Sequence, residues 1–190
     1  MVLLEFKNVS FAYGRQEVLS SLSFSLAEGE CLRLEGPNGS GKSTAMAIAA
    51  GALKAQGGQV LRSGSFGYAP QSSVLFDDLT VKENLAFFAR LAGAEMPEGF
   101  PLPIEAYLRK RVRSLSGGMK KAVSLCCAFL GEPQLLILDE PAAALDAEVK
   151  AMLEAYLLTR LSSGTALLLS GHADDDLHLP GMRTAGVKKA

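Results

Sequence analysis

The sequence predicts an α/β fold built around a parallel β-sheet, and three observations support this prediction. Short apolar stretches at residues 135–138 and 165–169 have the composition of buried parallel strands. Longer segments with helical character separate such strands along the chain. A glycine-rich turn at residues 36–44 lies between a predicted strand and a predicted helix, which is the order found in a parallel α/β unit.

Most of the predicted strands lie in the first 71 residues. They follow from alternating apolar and polar residues or from short apolar runs, and are expected at residues 3–9, 18–26, 31–35, 60–61 and 66–68. A turn ending at Gly14 separates the first two, which are expected to belong to an antiparallel part. Residues 42–53 are small and apolar, and this composition predicts a helix packed closely against its neighbours.

The middle of the chain carries no strand signal between residues 72 and 114 and is predicted to be a helical insert. Its helices are expected at residues 80–91, where Thr80 and Glu83 have capping-box spacing, and at residues 104–112.

The chain as a whole is predicted to be one domain of 190 residues. Its parts are an antiparallel β part with the glycine-rich loop (1–71), the helical insert (72–114), the remaining helices and strands of the core (115–176) and a short C-terminal tail (177–190).

Composition excludes several classes of protein. Hydrophobic residues make up 48%, charged residues 21%, and the formal net charge is −1, so no nucleic acid is expected as a partner. Every apolar stretch is interrupted before ~18 residues, so no membrane span is predicted. Cys31, Cys126 and Cys127 cannot form a disulfide framework and indicate a cytosolic compartment. A basic cluster is interpreted as a solvated face: Arg109, Lys110, Arg111, Arg113, Lys120 and Lys121.

The glycine-rich turn fits the phosphate-loop pattern G-x-x-x-x-G-K-[ST]. Backbone N–H groups of such a loop converge on phosphate oxygens, and the following helix adds positive potential at its N-terminus. Lys42 is expected to reach the terminal phosphates, and the Ser43 hydroxyl is expected to bind Mg²⁺. The predicted nucleotide-binding residues are Gly36, Pro37, Asn38, Gly39, Ser40, Gly41, Lys42, Ser43 and Thr44.

Two adjacent carboxylates follow the apolar stretch at residues 135–138. Asp139 is expected to enter the Mg²⁺ shell, and Glu140 to act as general base on the attacking water or to orient it. Two carboxylates after a buried strand are costly without a cation or a hydrogen-bond network. The alternative is a strand that simply ends at the surface in acidic residues.

Ser116, Gly117 and Gly118 begin a predicted helix and form a second candidate site for an anion. One phosphate loop already supplies the contacts on the α- and β-phosphate side of one nucleotide. A second helix start of this kind would have a role if it reached the γ-phosphate from another direction. The alternative is an ordinary N-cap, since Ser-Gly-Gly before a helix is common.

Taken in order, these motifs resemble those of the nucleotide-binding subunits of ABC (ATP-binding cassette) transporters, from Phe6 to about Asp176. The resemblance implies a P-loop NTPase fold with a RecA-like parallel core sheet, an N-terminal antiparallel β subdomain and a short inserted α-helical subdomain. It implies hydrolysis of ATP with Mg²⁺, in a homodimer or a heterodimer with another ATPase subunit. It also implies transmembrane permease subunits as partners and a peripheral location on the cytoplasmic face of the membrane.

The resemblance assigns further roles to single residues. Tyr13 would stack on adenine, or alternatively pack into the core. Gln71 would touch Mg²⁺ and the attacking water, or merely cap a strand. His172 would contact the γ-phosphate, and its place after an apolar strand favours that role over a surface histidine.

The remaining roles concern the contact between two subunits. Ser116, Gly117 and Gly118 would bind the γ-phosphate held by the opposite subunit. Asp146 would bridge the dimer, and it is also expected to be the N-cap of the next helix.

Two departures from the family pattern bear on function. Met119 stands where many members have glutamine, which makes the chain look like exporter-type ATPases. Only 18 residues follow His172, whereas the family usually continues there with two more strands and further helix. Two other functions are alternatives to that of a transporter ATPase: a non-transport ABC ATPase in DNA repair or translation, and a sensor that binds ATP without hydrolysing it.

Overall fold

The computed structural model describes residues 1–171 and 177–188, which form two β-sheets and their flanking helices. The strands are β1 (Val2–Tyr13), β2 (Gln16–Ala27), β3 (Cys31–Glu35), β4 (Gly57–Arg62), β5 (Phe66–Ala69), β6 (Leu135–Asp139), β7 (Ala166–Gly171) and β8 (Arg183–Gly186). The helices are α1 (Lys42–Ala50), α2 (Val81–Leu91), α3 (Gly117–Phe129) and α4 (Ala147–Ser162). Short 3-10 turns occur at Glu105–Tyr107 and Val112–Ser114.

The N-terminal sheet is antiparallel, with strand order β2-β1-β4. A tight turn joins β1 to β2, and Gly14 supplies the positive φ (+61°) that this turn requires. The rings of Phe6 and Phe24 stack across the two strands with centroids 4.5 Å apart. Side-chain pairs of this kind across two antiparallel strands stabilise the sheet.

The central sheet is parallel, with strand order β5-β6-β7-β3-β8. Side chains alternate across it, so Leu136 and Leu138 of β6 face the core beneath α2, α3 and α4, while Leu135 and Ile137 face the core shared with α1 and the N-terminal sheet. Layers on both faces explain why the inner strands β6 and β7 are fully buried and mostly apolar. The predicted parallel α/β core is confirmed.

The segment predicted as a C-terminal tail instead contains β8, which pairs with β3 at the edge of the parallel sheet. The backbone N–H of Val187 donates to the carbonyl of Glu35 at 2.7 Å. The sequence of β8 has no apolar run because three of its four residues are exposed. Its strand conformation comes from pairing with β3, which local patterning does not reveal.

The helical insert contains one helix rather than the two predicted. Thr80 caps α2 and forms the predicted capping box with Glu83. The expected helix at residues 104–112 is absent because its backbone bonds to α2 instead: the N–H groups of Val81 and Lys82 donate to the carbonyls at positions 110 and 108. No helix in residues 1–171 and 177–188 is long and apolar enough to cross a bilayer.

Candidate functional site

The register of the parallel sheet brings the phosphate loop and the two carboxylates to the same end of the sheet, where the strands have their carboxyl ends. Glu35, the last residue of β3, pairs with Gly171 at the end of β7. Asp139, the last residue of β6, pairs with Ser170 on the other side of β7. The loop and the carboxylates therefore start two strand spacings apart, about 10 Å. In open α/β sheets, ligands bind beyond this carboxyl end of the strands.

The phosphate loop curls around the side chain of Lys42. Lys42 is buried, and its Nζ donates to the carbonyl of Gly36 at 2.8 Å and to that of Pro37 at 3.3 Å. Gly41, just before α1, has φ +102°, and a Cβ there would lie 2.8 Å from the carbonyl oxygen of Val18. Both features require glycine at position 41. The ammonium group itself is held by the carbonyls of Gly36 and Pro37.

The loop residues differ in their exposure. The side of the loop that faces solvent includes Pro37, Asn38, Gly39 and Ser43, whereas Ser40 and Thr44 are buried. Exposed Ser43 lies in the first turn of α1, where its hydroxyl can meet a ligand that approaches the helix N-terminus.

Asp139 is held by its neighbour Ser170. It is 1% exposed, and its Oδ1 accepts a short hydrogen bond from the Ser170 hydroxyl. Its Oδ2 is buried and has no hydrogen-bond partner among the described residues. Burial, and to a smaller extent the charge of Asp139, raises the pKa of Tyr68 to about 12, so that phenol stays protonated beside the carboxylate.

This unpartnered oxygen fits a divalent cation at the site. A buried carboxylate oxygen is costly without a partner, and a hard cation is one group that would supply it. Among the described residues, no group of three or more His, Cys, Asp or Glu side chains could hold a metal ion by itself. Mg²⁺ is commonly bound by one or two carboxylates together with phosphate oxygens, so a site of this kind does not need such a group.

Glu140 occupies a strained backbone position. Its φ of +47° lies in the left-handed region, which costs a non-glycine residue about 1–2 kcal/mol. Its N–H donates to the Ser170 hydroxyl at 2.9 Å, and its Oε2 accepts from Nε2 of Gln71 at 2.9 Å. The sharp turn after β6 thus directs the Glu140 side chain toward Gln71, which lies just beyond the end of β5.

Ser116 is the N-cap of α3, which is the alternative that the sequence left open beside an anion site. The Ser116 hydroxyl accepts from the N–H of Met119 at 3.3 Å. Gly117 is exposed, and a Cβ there would meet nothing within 4 Å. At Gly118 a Cβ would lie 2.5 Å from the carbonyl oxygen of Ala144. One glycine therefore leaves the helix start open, while the other permits close approach to the loop that follows Glu140.

Lys121 was assigned to the solvated basic face, and this prediction is wrong. The residue is 8% exposed, and its Nζ donates to the backbone carbonyl of Asp139 at 2.8 Å. Burial lowers its pKa from the usual value, and the carboxylates of Asp139 and Glu140 oppose that shift. Helical periodicity could have indicated that Lys121 is buried, because it lies four residues before Leu125 on the buried face of α3.

Residues 19–143 match the family model described as "ABC transporter". The chain belongs to the ATP-binding proteins of the ABC transporter family. ABC ATP-binding proteins are generally ATPases and act with membrane subunits.

Curated relatives in this ABC family include proteins named "Nod factor export ATP-binding protein I". The one from Sinorhizobium fredii is 35% identical over 90% of this chain and 56% of its own length. The one from Paraburkholderia xenovorans is 34% identical over 89% of this chain and 62% of its own length. The chain thus spans less than two thirds of the length of these relatives.

Solved ABC structures agree with the fold. A structure described as an ATP-binding subunit of an ABC transporter superposes with a TM-score of 0.77 at 32% identity, over 90% of this chain and 80% of the other. A bacterial ABC transporter cassette described as dimeric has a TM-score of 0.81 at 21% identity, over 98% of this chain and 95% of the other. The likeness to the second structure concerns the fold alone.

The predicted ABC site residues that remain are Tyr13, Asp146 and His172. Tyr13, 55% exposed at the tip of the β1–β2 turn, touches Phe11 edge-on and is not a core residue. Asp146 is exposed and caps α4 by accepting from the N–H of Val149 at 2.9 Å. His172 follows the last residue of β7 and lies outside the described residues.

Proposed function

We propose that this chain binds and hydrolyses ATP with Mg²⁺ and powers export through separate membrane subunits. One observation carries the proposal: the phosphate loop around Lys42 and the carboxylates of Asp139 and Glu140 lie at the same end of the sheet, beyond the carboxyl ends of its strands. The names of the curated relatives, which are export ATP-binding proteins, support the direction of transport. Met119 in the Ser-Gly-Gly-Met sequence supports it as well.

The chain's own groups would bind the triphosphate through charge and backbone donors. Lys42 would exchange its carbonyl partners, Gly36 and Pro37, for β- and γ-phosphate oxygens. Exposed Tyr13 would stack on the adenine ring. Ser43, Gln71 and Asp139 would hold Mg²⁺, which neutralises phosphate charge when it is bound. The unpartnered Oδ2 of Asp139 supports its share in that role.

Hydrolysis would depend on the position of Glu140. Its carboxylate would accept a proton from the attacking water or orient that water, while the amide of Gln71 holds one carboxylate oxygen. His172 is proposed to contact the γ-phosphate. Catalysis of this kind relies on positioning and charge stabilisation, since phosphoryl transfer asks for little covalent chemistry from the protein.

A second ATPase subunit would complete each site. Ser116 and Gly117 are exposed at the start of α3, where the helix N-terminus favours an anion. We propose that Ser116, Gly117 and Gly118 bind the γ-phosphate held by a second copy or a homologue, and that Asp146 lies at the contact between the two subunits. A bacterial ABC transporter cassette described as dimeric, which has a similar fold, is a precedent for a dimer.

The membrane subunits would dock on an apolar face formed by the edge strand β5 and α2. A groove of about 350 Å³ lies here and includes Phe66, Val74 and Leu91 in its lining. Leu91 is 73% exposed and Val74 is 50% exposed. Exposed apolar residues gathered around one groove indicate a protein partner. A peripheral location on the cytoplasmic face of a membrane follows from this proposal.

The test combines nucleotide binding, phosphate release and association state for the parent chain and two variants. Glu140→Gln is expected to bind ATP with Mg²⁺ as the parent does, to release phosphate at least ~100-fold more slowly, and to form an ATP-dependent dimer in light scattering. Glu98→Gln, at an exposed loop position, is the control and should match the parent.

Three results would each contradict part of the proposal. Equal turnover by Glu140→Gln would exclude the proposed base. Binding without turnover, even with the membrane subunits present, would favour an ATP sensor. Copurification of the chain with ribosomes or DNA rather than membrane proteins would favour a non-transport ABC ATPase.

A further inference from the structure

Lys121 binds the peptide group that joins the two functional carboxylates. That peptide contributes its carbonyl from Asp139 and its N–H from Glu140. The carbonyl accepts from Nζ of Lys121 at 2.8 Å, and the N–H donates to the Ser170 hydroxyl at 2.9 Å. Both polar ends of the peptide are therefore bonded to side chains, one from α3 and one from β7, so its orientation is fixed from two sides.

The position of Lys121 is unusual for a lysine. A buried ammonium group loses hydration, which favours its neutral form, and fully buried lysines are rare unless they are paired. Here the residue is 8% exposed, and its charge lies near the carboxylates of Asp139 and Glu140. An apolar side chain would fill the same space without that cost. The lysine therefore provides what an apolar residue cannot, namely a donor and a positive charge beside the end of β6.

The fixed peptide determines where the Glu140 side chain points. Glu140 has φ +47°, a conformation that persists only when its surroundings hold it. The bonds from Lys121 and Ser170 act on the peptide immediately before this residue. Loss of the Lys121 bond would let that peptide rotate and move the Glu140 carboxylate away from Gln71.

Lys121 also connects this peptide to the start of α3. It lies one helical turn after Ser116, Gly117 and Gly118, and a groove of about 290 Å³ is lined by Gln71, Gly117 and Lys121. The same turn of α3 approaches the loop after Glu140, where the carbonyl oxygen of Ala144 leaves no room for a Cβ at Gly118. A shift of α3 would therefore act on the Asp139–Glu140 peptide.

We propose that Lys121 is a positioning residue for Glu140 and couples the start of α3 to the carboxylate site of the same chain. This inference rests on the proposed ATPase function. Nucleotide held by a second subunit against Ser116, Gly117 and Gly118 would then influence turnover at this chain's own phosphate loop, because the two sites share α3 and the peptide that Lys121 holds.

The experiment compares Lys121→Met, Lys121→Arg and Lys120→Met in the full chain. Lys121→Met keeps the length of the side chain but removes the donor. It is expected to lower kcat about 10- to 100-fold, while Kd for a fluorescent ATP analogue stays within about twofold. Lys121→Arg should restore most of kcat, because it keeps a donor and a charge. Lys120→Met is the matched control, since the partly exposed Lys120 pairs with Asp77 instead.

A double-mutant comparison tests whether Lys121 acts through Glu140. In a Glu140→Gln background, Lys121→Met should lower the residual rate by less than about twofold. A full, independent loss in that background would overturn the proposal. So would a Lys121→Met variant whose kcat matches the parent at a temperature where both are folded, since that outcome indicates only a structural role.

Amide hydrogen exchange separates failure of this inference from failure of the proposed function. Exchange in the segment 138–144 should rise about tenfold in Lys121→Met and stay unchanged in Lys120→Met, without nucleotide and whether or not the chain hydrolyses ATP. A parent chain without turnover would refute the ATPase proposal alone. Unchanged exchange in Lys121→Met would refute the positioning role.

Discussion

The side-chain amide of Gln71 donates a hydrogen bond of 2.9 Å to Oε2 of Glu140, across 69 positions of sequence. Gln71 follows β5 and Glu140 follows β6, and these strands are neighbours in the parallel sheet. The contact therefore results directly from strand order. It joins the residue proposed to activate water to the segment that leads from the core into the helical insert.

We expect Gln71→Ala to lower kcat for ATP hydrolysis about tenfold and to change the affinity for ATP without Mg²⁺ less than twofold. The substitution removes a donor to the Glu140 carboxylate but leaves the phosphate loop intact, and a tenfold change corresponds to ~1.4 kcal/mol. Gln71→Glu should lower kcat further, because it places a second carboxylate beside the first. Phosphate release with saturating ATP measures the effect, and parent-like turnover in both variants would show that the contact is unimportant for hydrolysis.

Ser170→Ala is expected to lower the free energy of unfolding by about 1–3 kcal/mol. Ser170 donates to Asp139 and accepts from the N–H of Glu140, so its loss leaves buried polar groups without partners. Urea denaturation measures the change. Ser162→Ala, at an exposed position of α4, is the control and should remain within about 0.5 kcal/mol of the parent. Equal stability of the two variants would contradict this account of the buried network.

The two adjacent glycines of α3 are expected to respond differently to alanine. Gly118→Ala would push a Cβ against the carbonyl oxygen of Ala144 and should destabilise the fold by about 1–3 kcal/mol. Gly117→Ala meets open space and should leave stability unchanged or slightly raised.

Nucleotide-dependent dimerisation separates packing from function in this pair. If the start of α3 binds a second subunit's nucleotide, Gly117→Ala should weaken the ATP-dependent dimer although the fold is intact. Thermal unfolding and light scattering measure the two effects. A stable Gly118→Ala variant would contradict the packing argument, and normal dimerisation of Gly117→Ala would contradict the proposed nucleotide contact.

The cysteine thiols are expected to react slowly with a thiol reagent in the native protein. Burial raises the pKa of Cys31 and of Cys127 to about 12, and also raises that of Cys126. The thiolate is the reactive form, so at about pH 8 a pKa near 12 leaves roughly a thousandfold less thiolate than a free cysteine has.

The raised pKa values of the thiols predict how the labelling rate depends on pH. The labelling rate of the native protein should still rise with pH at about pH 10, whereas a free thiol levels off above its ordinary pKa. Labelling in concentrated guanidinium chloride is the control and should modify all 3 cysteines quickly. A native thiol that reacts at the rate of the unfolded chain would contradict the stated burial.

Local sequence patterns were sufficient for the parts of the site that lie close together in the chain. The phosphate loop is a continuous stretch of nine residues, and its glycines, lysine and serine have meaning at fixed offsets. The caps at Thr80, Ser116 and Asp146 follow from residue types at a helix start, and the structure has all three. The apolar runs of β6 and β7 predicted buried parallel strands for the same reason.

The sequence by itself therefore determined the fold class, and it predicted the phosphate loop and the two carboxylates after β6 as parts of a site. Only the tertiary structure decided that Gln71 reaches Glu140, that Lys121 holds the Asp139–Glu140 peptide and that residues 183–186 complete the sheet. The physical reason is sequence distance. Loops, caps and buried strands depend on neighbours along the chain, whereas these three features depend on partners that strand order and helix packing bring together from remote parts of it.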